Sequence, residues 1–288
     1  MIKGRICNSC KSEIQRNELD KNYSVCPNCG YYMRFHAKKR ILTLADKKSF
    51  QEWDANMKWD NPLKDSLYEK KLLEVSAKHK LNDAIITGEI KILGMQVAIG
   101  VMDTRFMMAS MGRIVGEKIS KIFERATKKK IPVILFCCSG GARMQEGIVS
   151  LMQMKKTAAA VKRHSDEGLL YISVLTNPTM GGVTASFSML ADVVLAEKGA
   201  MIGFAGPRVI EQNTGAKLPE GFQTAEFQLQ HGFVDDIVSR MEMRNYLGHL
   251  LKLHNGQKRI KHQNLYNREV NKKPKFEHIS AWENVLKA

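Results

Sequence analysis

The stretch at residues 131–147, IPVILFCCSGGARMQEG, restricts the possible folds more than any other part of the chain. Residues 131–136 are apolar and rich in β-branched side chains, as expected of a buried strand. Ser139, Gly140 and Gly141 then permit a tight turn with unobstructed N–H groups. Beyond it, Met144, Ile148, Leu151, Met152 and Met154 recur as the apolar side of a helix. Strand, turn and helix in that order build a donor pocket for an anion or a developing oxyanion.

The pattern recurs. Residues 169–175, LLYISVL, lead through TNPT to Gly181 and Gly182 and a second predicted helix, VTASFSML. Short strands are expected at 192–196 and 200–204, the latter ending in the turn GFAGP with Gly206. Such alternation predicts α/β architecture with crossover connections, and places the three glycine turns on one edge of the sheet. Upstream, residues 84–102 read as a hairpin around Leu93-Gly94, and residues 113–130 as a helix whose terminal lysines suit its dipole. Residues 36–80 read as an amphipathic helical connector, with Ile41, Leu42, Leu44, Phe50 and Trp53 on one side and a break at Asn61-Pro62. Residues 206–254 look mostly helical. The resulting organisation is a ribbon at 1–35, an α/β domain at 36–254, and a basic tail at 255–288 with a short helix near 279–286.

The ribbon follows from four cysteines. Cys7, Cys10, Cys26 and Cys29 read C-x2-C-x15-C-x2-C, a spacing that brings two thiolate pairs around one Zn²⁺. Disulfide or redox pairing is the alternative. Four sulfurs close a zinc site to catalysis, so the metal is expected to be structural. The tail of the ribbon, GYYMRFHAKKR, mixes aromatic and basic residues, which suits either a nucleic acid or packing on the parent domain. Net charge is +16, with 11 basic against 4 acidic residues in 1–50 and 8 against 3 in 255–288. This permits an acidic partner as well as a solvated surface. No apolar run is long enough to span a membrane, and the N-terminus lacks the core of a signal peptide, so a cytoplasmic location is expected.

No familiar side-chain machinery is visible: no G-x-S-x-G, no P-loop, no G-x-G-x-x-G and no H-E-x-x-H. Cys137 and Cys138 end an apolar strand and read as core thiols rather than nucleophiles. What remains is backbone. SGGAR and TMGGV each place two glycines before an expected helix, where free N–H groups suit the enolate of a thioester. Close strand–helix packing selects glycine equally well. Arg143 and Arg208 suit a substrate carboxylate or phosphate, or a buried ion pair, for Arg143 with Glu146.

At these residues a resemblance emerges. The four-cysteine ribbon, SMGRIVGEKI (110–119), SGGARMQEGIVSLMQM (139–154), LLYISVLTNPTMGGVTASF (169–187), IGFAGPRVIEQ (202–212) and LPEGFQTAEFQLQHGFVD (218–235) resemble the β subunit of bacterial-type acetyl-coenzyme A carboxylase carboxyltransferase. The resemblance implies a crotonase-like fold of ββα repeats. It implies transfer of a carboxyl group from carboxybiotin, on a biotin carboxyl carrier protein, to acetyl-CoA, giving malonyl-CoA for fatty acid synthesis. A carboxyltransferase α subunit completes the site in an α2β2 assembly, and biotin carboxylase charges the biotin. Biotin itself is implied to take the substrate proton. By motif, Gly181 and Gly182 become the oxyanion hole, Gly140 and Gly141 a second donor pair, and Arg143, Gly206 and Arg208 substrate contacts. A nucleic-acid role has been proposed for such ribbons. The chain departs from the family pattern at CCSGG, at Thr214-Gly215 and in its tail.

Overall fold

The sheet is assembled around strands that can bury both faces. The computed structural model describes residues 4–215 and 217–255. The basic tail, with its expected helix near 279–286, lies outside them. The ribbon contains β1 (Arg5–Ile6), antiparallel to β2 (Glu13–Ile14), then α1 (Arg16–Lys21). Strand β1 precedes the first knuckle, and β2 and α1 fill the span between the knuckles. Then follow α2 (Ala37–Leu44), β3 (Gln51–Trp53) and α3 (Ser66–His79). Asp65 caps α3 by accepting from the N–H groups of Leu67 and Tyr68. The expected run of helix through Phe50 and Trp53 is corrected here. Trp53 closes β3 and Phe50 lies just before it, and β3 pairs with the edge of the next strand.

The hairpin forms as expected, from β4 (Ile85–Ile92) and β5 (Met95–Met102), with Leu93-Gly94 as its turn. Helix α4 (Arg113–Lys129) buries Val115, Ile119, Ile122, Phe123 and Ala126 and ends on two lysines. Strand β6 (Val133–Ser139) is buried throughout. Helix α5 (Ile148–Asp166), β7 (Tyr171–Met180), β8 (Val193–Ala196) and β9 (Ile202–Gly203) come next. The chain continues through α6 (Pro207–Thr214), α7 (Ala225–Gln230), β10 (Asp236–Ile237) and α8 (Met243–Asn255). The sheet order is β10-β8-β7-β6-β5-β4-β3, with β9 also on β7. It is parallel from β5 to β10 and antiparallel from β3 to β5. Parallel strands require crossovers, and the all-apolar β6 suits a strand covered on both faces. Helices α4 and α5 pack on each other and α4 lies on the sheet, while α2 and α8 pack together and also meet β4 and β5.

The ribbon keeps a small core of its own, Ile14, Leu19 and Met33 with Cys7 and Cys26. A buried cluster joins it to the sheet. Glu197 accepts from Arg40 at 2.6 Å and from both Nε and Nη2 of Arg240, at 2.9 and 2.8 Å. Arg240 also donates to the carbonyls of Tyr23, Ser24 and Met33 in the ribbon. Its guanidinium lies over Tyr32 and Phe35, and that of Arg40 over Phe35 and Phe136. These ribbon aromatics pack on the parent domain, one of the two roles open to them.

Candidate active site and zinc centre

The zinc ligands converge. One thiol sulfur from each of Cys7, Cys10, Cys26 and Cys29 lies within 4.8 Å of all the others, with Cys7 to Cys29 and Cys10 to Cys26 both at 3.7 Å. A tetrahedral site with Zn–S bonds of about 2.3 Å requires sulfurs about 3.8 Å apart, so the four cysteines fit Zn²⁺. Each is free of disulfide pairing.

The two glycine pairs also converge, though they lie 40 residues apart in sequence. Gly141 (φ +115°) ends the turn after β6, and Gly181 (φ +61°) opens the turn after β7. Both values favour glycine. A Cβ on Gly181 would lie 3.1 Å from the Gly141 Cα, tighter than ordinary contact, whereas one on Gly141 would lie 3.7 Å from the Gly181 Cα. The third turn joins them, because the Gly181 N–H donates to the carbonyls of Gly203 (3.1 Å) and Phe204 (3.0 Å). The three turns therefore gather at the ends of neighbouring parallel strands, where open α/β sheets place ligands.

Three of the four expected donors are already committed. Gly140 N–H donates to Met108 O (3.0 Å), Gly141 N–H to Ser139 Oγ (2.9 Å), and Gly181 N–H as above. Gly182 N–H alone of the four has no acceptor among the described residues. The expected helix dipole behind each turn is corrected as well. After Gly141 the chain runs through a short 3-10 turn, Met144–Glu146, before α5 starts at Ile148. After Gly182 no α-helix forms; the segment is turns and a 3-10 turn at Phe187–Met189.

Arg143 requires a further correction: it is fully buried and cannot touch a substrate. Its Nη2 donates to Asp83 Oδ1 (2.6 Å) and Ser110 O (2.8 Å). Its Nη1 reaches Glu146, Asp83 and the Tyr68 hydroxyl, each at 3.3 Å, and Nε reaches Ser110 Oγ at 3.2 Å. Burial disfavours the charge, but Asp83 overcomes it and holds the guanidinium above its ordinary pKa. Glu146 in turn accepts from Tyr68 (2.8 Å) and from the Arg113 N–H (2.6 Å) at the start of α4. The ion pair with Glu146 is thus present, but Asp83 is the closer partner. Asp83 stands alone in its segment, and although Tyr68 lies in a stretch with a helical pattern and Ser110 opens SMGRIVGEKI, neither pattern marks a partner of Arg143.

Gly206 precedes Pro207 at the start of α6, and a Cβ there would meet nothing within 4 Å. Arg208 is exposed in the first turn of α6, with no hydrogen bond or ion pair to any described residue. Cys137 and Cys138 are core thiols; burial pushes both up to about 12. No helix among the described residues is long and apolar enough to cross a membrane.

Helix α5 reverses expectation. Its buried side carries Ser150, Gln153, Thr157 and His164, while Ile148, Leu151 and Met152, with Met144 before it, are exposed. Met144 is 87% exposed.

Known proteins agree with this geometry. Residues 34–227 match the carboxyl transferase domain, and residues 6–29 the acetyl-CoA carboxylase zinc finger domain. The acetyl-coenzyme A carboxylase carboxyl transferase subunit beta of Clostridium botulinum is 53% identical over 248 residues, 86% of each chain. In Natranaerobius thermophilus a beta/alpha protein is 54% identical over 86% of this chain, which spans 41% of that longer one. Among solved structures, a transcarboxylase 12S bound to methylmalonyl-coenzyme A and methylmalonic acid superposes with a TM-score of 0.64. It is 27% identical over 74% of this chain and 41% of its own. A Pseudomonas malonate decarboxylase shares the fold at a TM-score of 0.62 and 20% identity, over 85% of this chain and 92% of its own. The chain is thus a crotonase-like α/β protein with a zinc ribbon, and it belongs to the family of acetyl-coenzyme A carboxylase carboxyl transferase β subunits.

Proposed function

We propose that this chain, with a carboxyltransferase α subunit, moves a carboxyl group from carboxybiotin to acetyl-CoA and yields malonyl-CoA. The observation that carries the reading is Gly182, whose N–H is uncommitted at the contact between the two glycine turns. An N–H held by a rigid turn stabilises negative charge as it develops on a thioester oxygen, without reorganising at the moment of reaction. Gly140, Gly141 and Gly181 act as the frame that aims it. Biotin, carried on a separate carrier protein, supplies the carboxyl group. Glu146 is committed to Arg143, Tyr68 and the start of α4, so it is not available as a base.

The partner reading rests on α5. The exposed stripe of Met144, Ile148, Leu151 and Met152 adjoins the first glycine turn in sequence, and contiguous exposed apolar surface marks an interaction site. The relative with β and α on one chain supports an α subunit as the occupant, completing an α2β2 assembly. Arg208 and Gly206, on the open α6 turn, are placed to meet substrate or partner. A cytoplasmic location accompanies this function. The test is reconstitution: the isolated chain forms no malonyl-CoA, and adding the α subunit with carboxybiotin restores transfer. A complete, correctly assembled complex that stays inactive overturns the reading.

A further inference from the structure

A cavity with a volume of about 520 Å³ lies beside α2 and the end of α3. Its charged lining includes Lys38, Lys80, Arg105 and Lys118 against Glu52 and Asp83. Asp83 is neutralised by Arg143, and Arg105 is paired with Asp103. Lys38 and Lys80 are exposed at the rim. Lys118, on α4, is different. It is only 2% exposed, yet no hydrogen bond or ion pair joins it to any described residue. Burial lowers its pKa, opposed by the more distant charges of Asp83, Glu52 and Asp54.

A largely buried lysine whose unpaired ammonium opens onto a cavity suits an anionic ligand that enters it. The cavity is of ligand size. Its exposed lysines, Lys38 and Lys80, outnumber the exposed Glu52, and lysines bind phosphate as point charges. It also shares Asp83 with the Arg143 cluster that holds the segment after Gly141.

We propose that this cavity binds a phosphate group, with Lys118 as the buried cation that meets it. The inference rests on the acyl-CoA reading only for the source of the phosphate: the nucleotide end of coenzyme A, or free inorganic phosphate.

Calorimetric titration of the full-length chain with coenzyme A, 3′-dephospho-coenzyme A and inorganic phosphate tests it. Lys118→Met is expected to weaken coenzyme A at least tenfold while leaving the melting temperature unchanged, since the Lys118 side chain makes no hydrogen bond or ion pair with a described residue. Lys80→Gln, at the exposed rim, is expected to weaken it severalfold and keeps the test open if the buried variant misfolds. Loss of sensitivity to Lys118→Met with the dephospho compound assigns the 3′-phosphate to the cavity. Retained sensitivity assigns the diphosphate. If only inorganic phosphate depends on Lys118, the site stands with free phosphate as its ligand, independently of the acyl-CoA reading. If both lysine variants bind coenzyme A and phosphate as the wild type does, or if Lys118→Met lowers the melting temperature without affecting binding, the proposal is overturned, whatever the transfer activity of the assembled complex.

Discussion

Gly141 and Gly181 meet backbone to backbone: a Cβ on Gly181 would lie 3.1 Å from the Gly141 Cα, closer than an ordinary side-chain contact. This contact joins the ends of β6 and β7 into one surface, and Gly182 sits on it with its N–H uncommitted. A Cβ on Gly182 would lie 3.0 Å from Met154 Sδ and 3.6 Å from Ala142 Cβ. Gly182→Val sets a branched side chain against Met154 and Ala142, beside the N–H that it would crowd. Transfer by the reconstituted complex is expected to fall by about 100-fold or more, the usual effect of losing one oxyanion donor. Circular dichroism and zinc content should match the wild type. Near-normal turnover would remove Gly182 from the donor role.

Arg143 and Asp83 form a fully buried pair, and Arg143 uses its remaining donors on Ser110, Tyr68 and Glu146. Removing one partner of such a pair strands the other charge, at about 3–5 kcal/mol. Arg143→Met is expected to lose stability on that scale in urea unfolding, and Arg143→Met with Asp83→Asn to recover part of it. A loss below about 1 kcal/mol in the single variant would show that the pair contributes little.

Much of this site was legible because it depends on local chemistry. Four cysteines at fixed spacing, a β-branched run and paired glycines each carry their structural consequence in the residues themselves. The failures lie where a distant partner decides. The segment after Gly182 has an apolar, helix-like pattern, but Thr184, Ser186 and Ser188 turn their hydroxyls back onto the carbonyls of Thr179, Gly182 and Val183. Such bonds compete with helix formation. Phe50 and Trp53 look helical in isolation, yet β4 offers an open edge with which residues 51–53 pair. Arg143 looks like a substrate ligand until Asp83, 60 residues earlier, is brought to it. The periodicity of α5 was read correctly as an apolar stripe, but periodicity does not say whose surface the stripe covers.

Glu197 gives the ribbon junction a pH dependence. Burial alone would raise its pKa, but Arg40 and Arg240 outweigh burial and hold it at about 2, against an ordinary 4.5. A carboxylate depressed in the folded state contributes stability above its unfolded pKa and loses it as pH falls through the folded one. Folding stability is therefore expected to drop by about 3 kcal/mol between pH 4.5 and pH 2 through this group. The check is the difference between wild-type and Glu197→Gln unfolding curves across that range, which cancels the other carboxylates. A difference that does not change with pH would refute the assignment.

Zinc removal should act locally. The ribbon core without its cysteines is Ile14, Leu19 and Met33, too few apolar side chains to hold a fold alone, whereas the sheet has an extensive core of its own. Chelation is expected to release one zinc per chain, expose residues 5–33 to proteolysis and leave the main thermal transition in place. Loss of the whole fold on chelation would mean that the Arg240 cluster makes ribbon and sheet one cooperative unit.

The apolar side of α5 yields the last prediction. Ile148, 67% exposed, lies in the stripe with Met144, Leu151 and Met152, and no described residue buries that stripe. An exposed position contributes little to folding, so Ile148→Glu should change stability by no more than about 0.5 kcal/mol. At an interface the same substitution places a charge where the α subunit's apolar surface would desolvate it, which costs several kcal/mol unless it is paired. Sedimentation of the mixed subunits should show wild-type chain in the complex and the variant largely free. Transfer activity should fall in proportion to the complex lost and recover when the α subunit is raised in concentration, because the glycine turns themselves are unchanged. Full assembly of Ile148→Glu with unaltered affinity would move the partner surface away from α5.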